Sequence, residues 1–147
     1  MNKEIRNAIF KQVAAEPFAQ KFGLQLIDIQ EGYAKMEMVF TQDLENMFGM
    51  AHGGALFALI DEAFEVASNS HGTIALALNL NVTFLETPSI NSLLIAEAKE
   101  ESRTKRTASY RIEVLQKDEN GDRKIALCQA LVYRKDKSLS FLEEEAK

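Results

Sequence analysis

The sequence predicts an α+β fold in which a curved antiparallel sheet wraps round one long central helix. Two observations carry this prediction. The stretch between Gly54 and Gly72 contains no Pro and no internal Gly and is rich in Ala, Leu, Ile, Phe and Val, which reads as a helix of about four to five turns. Two strand-like runs precede it and four follow, and a helix with so few charges needs cover on most of its sides.

Taken in order, residues 3–15 set Ile5, Ala8, Ile9 and Val13 on one helical face, with Lys3, Glu4, Arg6, Asn7 and Lys11 mostly elsewhere. Pro17 interrupts that helix, and residues 18–22 can add one turn closed by Gly23. Residues 24–30 and 33–40 read as strands around a Glu31-Gly32 turn, the second with Ala34, Met36, Met38 and Phe40 on its buried face. A loop over 46–52 leads into the central helix. Residues 73–86 form a long strand with Leu76, Leu78, Leu80, Val82 and Phe84 on one face and Ala77, Asn79, Asn81 and Thr83 on the other, ended by Pro88. Residues 92–103, 107–116 and 124–134 make three more strands, with a polar turn at 118–122. Residues 135–147 are charged and read as a frayed tail able to dock through Leu139, Phe141 and Leu142. All of this fits one domain over 1–147, headed by a helical segment at 1–22.

Composition narrows the function. The chain is 46% hydrophobic and 27% charged with a formal net charge of −5, so no basic excess exists to meet nucleic-acid phosphates. The single cysteine, Cys128, forms no internal disulfide and reads as a small core residue. The N-terminal residues mix Lys, Glu and Arg through their apolar positions, unlike a signal peptide. No apolar run is long enough to span a bilayer. A cytoplasmic location without membrane association is expected.

The chemistry concentrates in the central helix. On a helical projection Leu56, Leu59, Ile60, Ala63, Val66 and Ala67 cover the apolar face. Asp61 falls at its border, on the line of Phe57, Phe64 and Ser68, with Glu62 and Glu65 further round. A solvated helix edge is one reading of Asp61, and a carboxylate aimed into an apolar cleft is the other. The start of the helix favours the second. Gly53 and Gly54 let a ligand approach bare N–H groups where the helix dipole stabilises negative charge, as an oxyanion hole requires.

The pattern Asn46-x-x-Gly49-x-x-His52-Gly53-Gly54, with Asp61 nine residues after His52, resembles the hotdog-fold acyl-CoA thioesterases. Within them it is most similar to the phenylacetate-degradation subgroup of the 4-hydroxybenzoyl-CoA thioesterase-like superfamily. The resemblance continues through Ala63-Phe64 and residues 67–72 and spans most of 17–134. It implies hydrolysis of acyl-CoA, and since no Cys/His/carboxylate cluster has ligand spacing and no Gly-rich nucleotide fingerprint follows a strand, no metal or organic cofactor is expected. It implies that Gly53 N–H and the Asn46 amide polarise the thioester carbonyl, that His52 orients Asn46, and that Asp61 acts as nucleophile or general base. Some relatives carry a Ser or Thr on the next strand to hold water; that position falls here at Ala77, and Asn79, read as one same-face step away, is the substitute candidate. Arg103, Lys105 and Arg106 correspond to basic groups that meet coenzyme A phosphates in relatives. Gly54, Phe57 and Phe64, with Phe48 and Met50, are the candidate acyl-binding residues. His71 is placed at the helix C-terminus with no catalytic role.

Gly53 and Asp61 stand about 12 Å apart along one helix, too far for one carbonyl to touch both. A homodimer is therefore expected to supply the site from two chains, and the family resemblance adds a homotetramer. Two rivals of other classes are a hotdog hydratase, which wants a paired Asp and His, and a non-catalytic acyl-CoA binding module, which has no need of an acid at Asp61.

Overall fold

A computed structural model describes residues 1–144. Helices α1 (Lys3–Ala15) and α2 (Pro17–Phe22) lead into strands β1 (Gln25–Gln30) and β2 (Tyr33–Val39). A short 3-10 turn (Gln42–Leu44) and a loop precede α3 (Gly53–Asn69). Strands β3 (Thr73–Phe84), β4 (Leu93–Arg103), β5 (Thr107–Gln116) and β6 (Arg123–Ser138) follow, then α4 (Ser140–Glu144). The strands form one antiparallel sheet in the order β1-β2-β4-β5-β6-β3. Helix α3 packs against β2, β3, β4 and β5, which is the hotdog arrangement.

Local chemistry sets the boundaries. Asn2 caps α1 by accepting from Glu4 N–H at 2.7 Å, Pro17 sits in the first turn of α2, and Gly23 ends α2 in the left-handed region at φ 66°. The core joins Ile9 and Val13 of α1, Ala34, Met36, Met38 and Phe40 at β2, and Leu56, Leu59, Ile60, Ala63 and Ala67 of α3. Each large aliphatic side chain removed from water there contributes about 1.5–3 kcal/mol, so α3 is held by burial on nearly every side.

Three expectations are corrected. The face assignment on the long strand fails at a bulge: Ala77 pairs with Val132 and Asn79 with the adjacent Leu131, leaving Leu78 as the extra residue. Ala75 and Ala77 therefore share a face with Leu80, Val82 and Phe84, while Leu76 and Asn79 turn to the opposite side. The tail is ordered further than its charge implies, because residues 135–138 extend β6 and Leu139 is buried, its N–H donating to Gly72 O at 3.1 Å. Residues 145–147 of that expected tail lie outside the described residues.

The third correction concerns Glu62, which is buried at 3% exposure beneath the junction of α1 and α2 rather than lying on a wet face. Its Oε1 has no hydrogen-bond partner among the described residues. Burial, followed by the charges of Glu16, Glu65 and Asp61 and a bond to the Glu16 side chain, pushes its carboxyl up from 4.5 to about 8. An acid held protonated in the fold stabilises most below its unfolded pKa, and that contribution is lost as pH climbs to the folded one. Thermal stability should therefore fall as pH rises from about 4.5 to about 8, with a slope no greater than about 1.4 kcal/mol per pH unit for one proton. Glu62→Gln, which keeps a donor toward Glu16, should flatten this slope in a Tm-against-pH series; parallel slopes in the two proteins would contradict it.

Candidate active site

The loop before α3 folds back on itself. His52 N–H donates to Leu44 O at 2.9 Å and Asn46 N–H to Met50 O at 2.7 Å, while Gly49 takes the left-handed turn conformation at φ 71°. The N–H groups of Phe48 and Met50 both donate to the Asn46 side chain, at 2.9 and 3.2 Å. Two donors facing one amide atom require that atom to be the oxygen. The local turn thus fixes the amide plane and leaves Nδ2 as a donor with no partner among the described residues.

His52 is the N-cap of α3. Its Nδ1 accepts from Gly54 N–H at 2.9 Å, so the ring proton sits on Nε2. Its carbonyl accepts from Ala55 and Leu56 N–H at 3.0 and 3.3 Å. Among the first-turn donors, Gly53 N–H is left without a partner among the described residues. Among the described residues no hydrogen bond joins His52 to Asn46, and Gly54 N–H is occupied by His52. Gly53 lines a cavity of about 330 Å³ with Ala51, Leu56 and residues 84–87. A Cβ on Gly53 would sit 3.3 Å from the Phe84 ring, tight enough to disturb the approach to its N–H.

Asp61 opens into a different cavity. This one measures about 360 Å³ and lies between α1, α3, the start of β3 and residues 139–141. Asp61 is half-buried, and burial raises its carboxyl pKa above the ordinary 3.8. Ala77 lines the same cavity; Asn79, turned away by the bulge, does not. Ser68 and Phe64 lie along it as the helical projection expects. Phe64 is a core residue at 1% exposure, edge-on to Tyr110 with ring centroids 5.5 Å apart, so it contributes a floor rather than a mobile contact. Phe48, Met50 and Phe57 are exposed outside this cavity, and no single-chain acyl pocket gathers them.

The basic cluster divides. Lys105 and Arg106 line a groove of about 570 Å³ with Arg134, Lys135 and Lys137, and Arg106 Nη1 donates to the Tyr133 hydroxyl at 3.0 Å. Arg103 points into another network. Its Nη1 donates to His71 Nδ1 at 3.0 Å, and His71 Nε2 donates to Glu100 Oε2 at 2.8 Å. Tyr110 donates to the same oxygen at 2.6 Å. Burial opposes charge on Glu100, but these bonds and Arg103 hold its carboxyl below the usual range. Both ring nitrogens of His71 are thus committed to structure. Cys128 is buried in the core, and burial pushes its thiol up to about 11, far from a reactive thiolate.

The model of the thioesterase superfamily matches residues 48–121. The chain belongs to the thioesterase superfamily. Escherichia coli acyl-coenzyme A thioesterase PaaI is 35% identical over 97 residues, covering 66% of this chain and 69% of that protein. A protein of Archaeoglobus fulgidus with a provisional esterase designation is 40% identical over 110 residues, covering 75% of this chain and 70% of its own length. The solved E. coli PaaI protein of the phenylacetic acid degradation operon superimposes with a TM-score of 0.86 at 27% identity, over 93% of this chain and 97% of that one. These likenesses place the thioesterase in the PaaI-like group and make it a thioester hydrolase.

Sequence reasoning missed the contribution of α1 and the C-terminal segment to the Asp61 cavity, including Glu16. The amphipathic face of α1 was the available signal, but periodicity names a buried face without naming what it covers. For Asp61 itself, Asp61→Asn should lower kcat by about 10²–10⁴-fold in thioesterase assays while leaving the circular dichroism spectrum unchanged. If Asp61 acts as an ionised carboxylate, the acid limb of kcat/KM should inflect above 3.8. A variant with near-parental kcat would return Asp61 to a passive helix edge.

Proposed function

We propose that this thioesterase hydrolyses acyl-CoA at sites shared between two copies of the chain. The observation that carries the reading is that Gly53 N–H and Asp61 open into separate cavities at opposite ends of β3, an edge strand of the sheet. On one helix they stand about 12 Å apart. A second chain pairing edge to edge through β3 about a two-fold axis would lay the helices antiparallel and bring one chain's Gly53 opposite the other's Asp61. Exposed Met47, Phe48, Leu76, Leu78 and Phe84 supply apolar area for such a contact. Further pairing into a homotetramer fits the same family pattern, and a cytoplasmic location fits a coenzyme A substrate.

In this site the thioester carbonyl accepts from Gly53 N–H and Asn46 Nδ2 of one chain. Each such donor contributes about 3–4 kcal/mol to the oxyanion that forms. Asp61 of the other chain either attacks the carbonyl carbon directly, giving a mixed anhydride that water then cleaves to the free acid and the restored carboxylate, or takes a proton from a water that attacks the carbonyl carbon itself; in both routes the thiolate of coenzyme A leaves with the acyl–sulfur electron pair. Ala77 offers no hydroxyl to steady a water, which favours direct attack. The groove at Lys105, Arg106, Arg134, Lys135 and Lys137 is suited to the phosphates of coenzyme A. The reaction needs no metal or organic cofactor. A hydratase reading is weakened because Arg103 and Glu100 occupy His71, and a pure binding module gives no reason for a half-buried acid.

The test is thiol release from a panel of acyl-CoA esters by wild type, by Asn46→Ala, by Asp61→Ala, and by the two variants refolded together. Wild type should release thiol and each variant alone should be nearly inactive. With random pairing at equal amounts about half the dimers are mixed and each carries one intact site, so about one quarter of sites should work. No recovery in demonstrated mixed dimers would rule out the shared site.

A further inference from the structure

The geometry points to the cavity beside Asp61, roofed by α1 and residues 139–141, as the acyl-binding pocket, with Val13 and Phe141 limiting acyl length and Glu16 and Glu65 excluding acyl groups that end in a carboxylate. The inference rests on the acyl-CoA thioesterase reading above and adds its substrate class: uncharged acyl groups of limited length.

A carbonyl carbon attacked from Asp61 must send its acyl substituent into the space next to that carboxylate. Among the described residues this space is the cavity of about 360 Å³. At about 30 Å³ per water-sized group, it admits up to about a dozen heavy atoms. Its apolar wall comes from Ile9 and Val13 of α1, Ile74 and Leu76 of β3, and Leu139 and Phe141. Phe64 forms part of α3's contribution. Val13 and Leu139 are buried and Phe141 is half-buried against the core, so the wall is packed rather than loose. A chain that outgrows it must displace α1 or the C-terminal segment.

The charge of the lining is one-sided. Glu16, Asp61 and Glu65 line the cavity, and among the described residues no Lys, Arg or His does. A distal carboxylate would enter a partly desolvated space among like charges with no counterion. The same field acts on the product. Substrate is neutral at the acyl carbon, whereas hydrolysis leaves a carboxylate, so the acidic lining favours release of the acid over its retention. Burial first, and then the Glu16 and Asp61 charges, raise the carboxyl pKa of Glu65.

The test compares kcat/KM for butanoyl-, hexanoyl-, decanoyl- and adipoyl-CoA in wild type, Val13→Phe, Phe141→Ala, Glu65→Gln and Glu16→Gln. Wild type should prefer hexanoyl- over adipoyl-CoA by at least about 100-fold, and Glu65→Gln or Glu16→Gln should narrow that ratio by about tenfold. Val13→Phe should lower the decanoyl-to-butanoyl ratio by about tenfold and Phe141→Ala should raise it. Glu65 and Phe141 carry the test if substitution in α1 impairs folding. Length and charge ratios that stay at parental values in the folded variants would overturn the pocket assignment while leaving thioesterase activity in place. Wild type that hydrolyses none of the four esters but does hydrolyse phenylacetyl-CoA would overturn the pocket assignment alone, and wild type inactive on all five would remove the functional reading with it.

Discussion

Helix α3 is the constraint on which the other features depend. It is apolar over more than half its circumference, so it persists only because β2, β4, β5 and β3 close round it. A helix held that firmly cannot bend to bring its own ends together. Gly53 at its first turn and Asp61 two turns later keep a separation of about 12 Å, and each faces its own cavity. The rigidity that orients both groups also makes either one incomplete alone, which is the physical ground for reading the site as shared.

His52 illustrates how a single residue prepares one end of that site. By capping Gly54 through its ring, and Ala55 and Leu56 through its carbonyl, it satisfies the neighbouring donors and leaves Gly53 N–H available. Asn46 is prepared in a similar way, with its amide oxygen held by two loop N–H groups. At the other end, burial alone raises the Asp61 carboxyl pKa. That makes Asp61 a stronger base than an exposed aspartate, and the surrounding acids keep the region unwelcoming to anions. The proposed site would therefore combine an N–H-lined end for the developing oxyanion with an acidic end for attack and product release.

Much of this was legible in the sequence because it rests on periodicity and spacing. The end of α1 and the limits of α2 follow from Pro17 and Gly23, the buried alternation of β2 from Ala34 to Phe40, and the long α3 from its freedom from Pro and internal Gly. The positions of Gly53, Asn46 and Asp61 relative to the helix were equally readable. The bulge at Leu78 was not, since a bulge inserts a residue without altering local hydrophobicity. It removed Asn79 from the Asp61 cavity. Glu62 was misplaced because a glutamate is assumed to seek water, and only the packing of α1 and α2 buries it. Arg103 left the basic cluster for Glu100, three residues away on the same strand, and for His71, a long-range partner that spacing within a hairpin cannot express.

The most direct measurement of the central claim joins mass to activity in a variant of the exposed β3 edge. Leu78→Lys places a charge at a position 58% exposed in the single chain and would set two such charges near each other across the proposed two-fold axis. Sedimentation velocity and thiol release on the same sample should find a folded species of one chain mass, 16.5 kDa, with activity lost. A 16.5 kDa species hydrolysing acyl-CoA at the parental rate would contradict the shared site, and an undiminished, fully active dimer would contradict β3 as the contact that builds it.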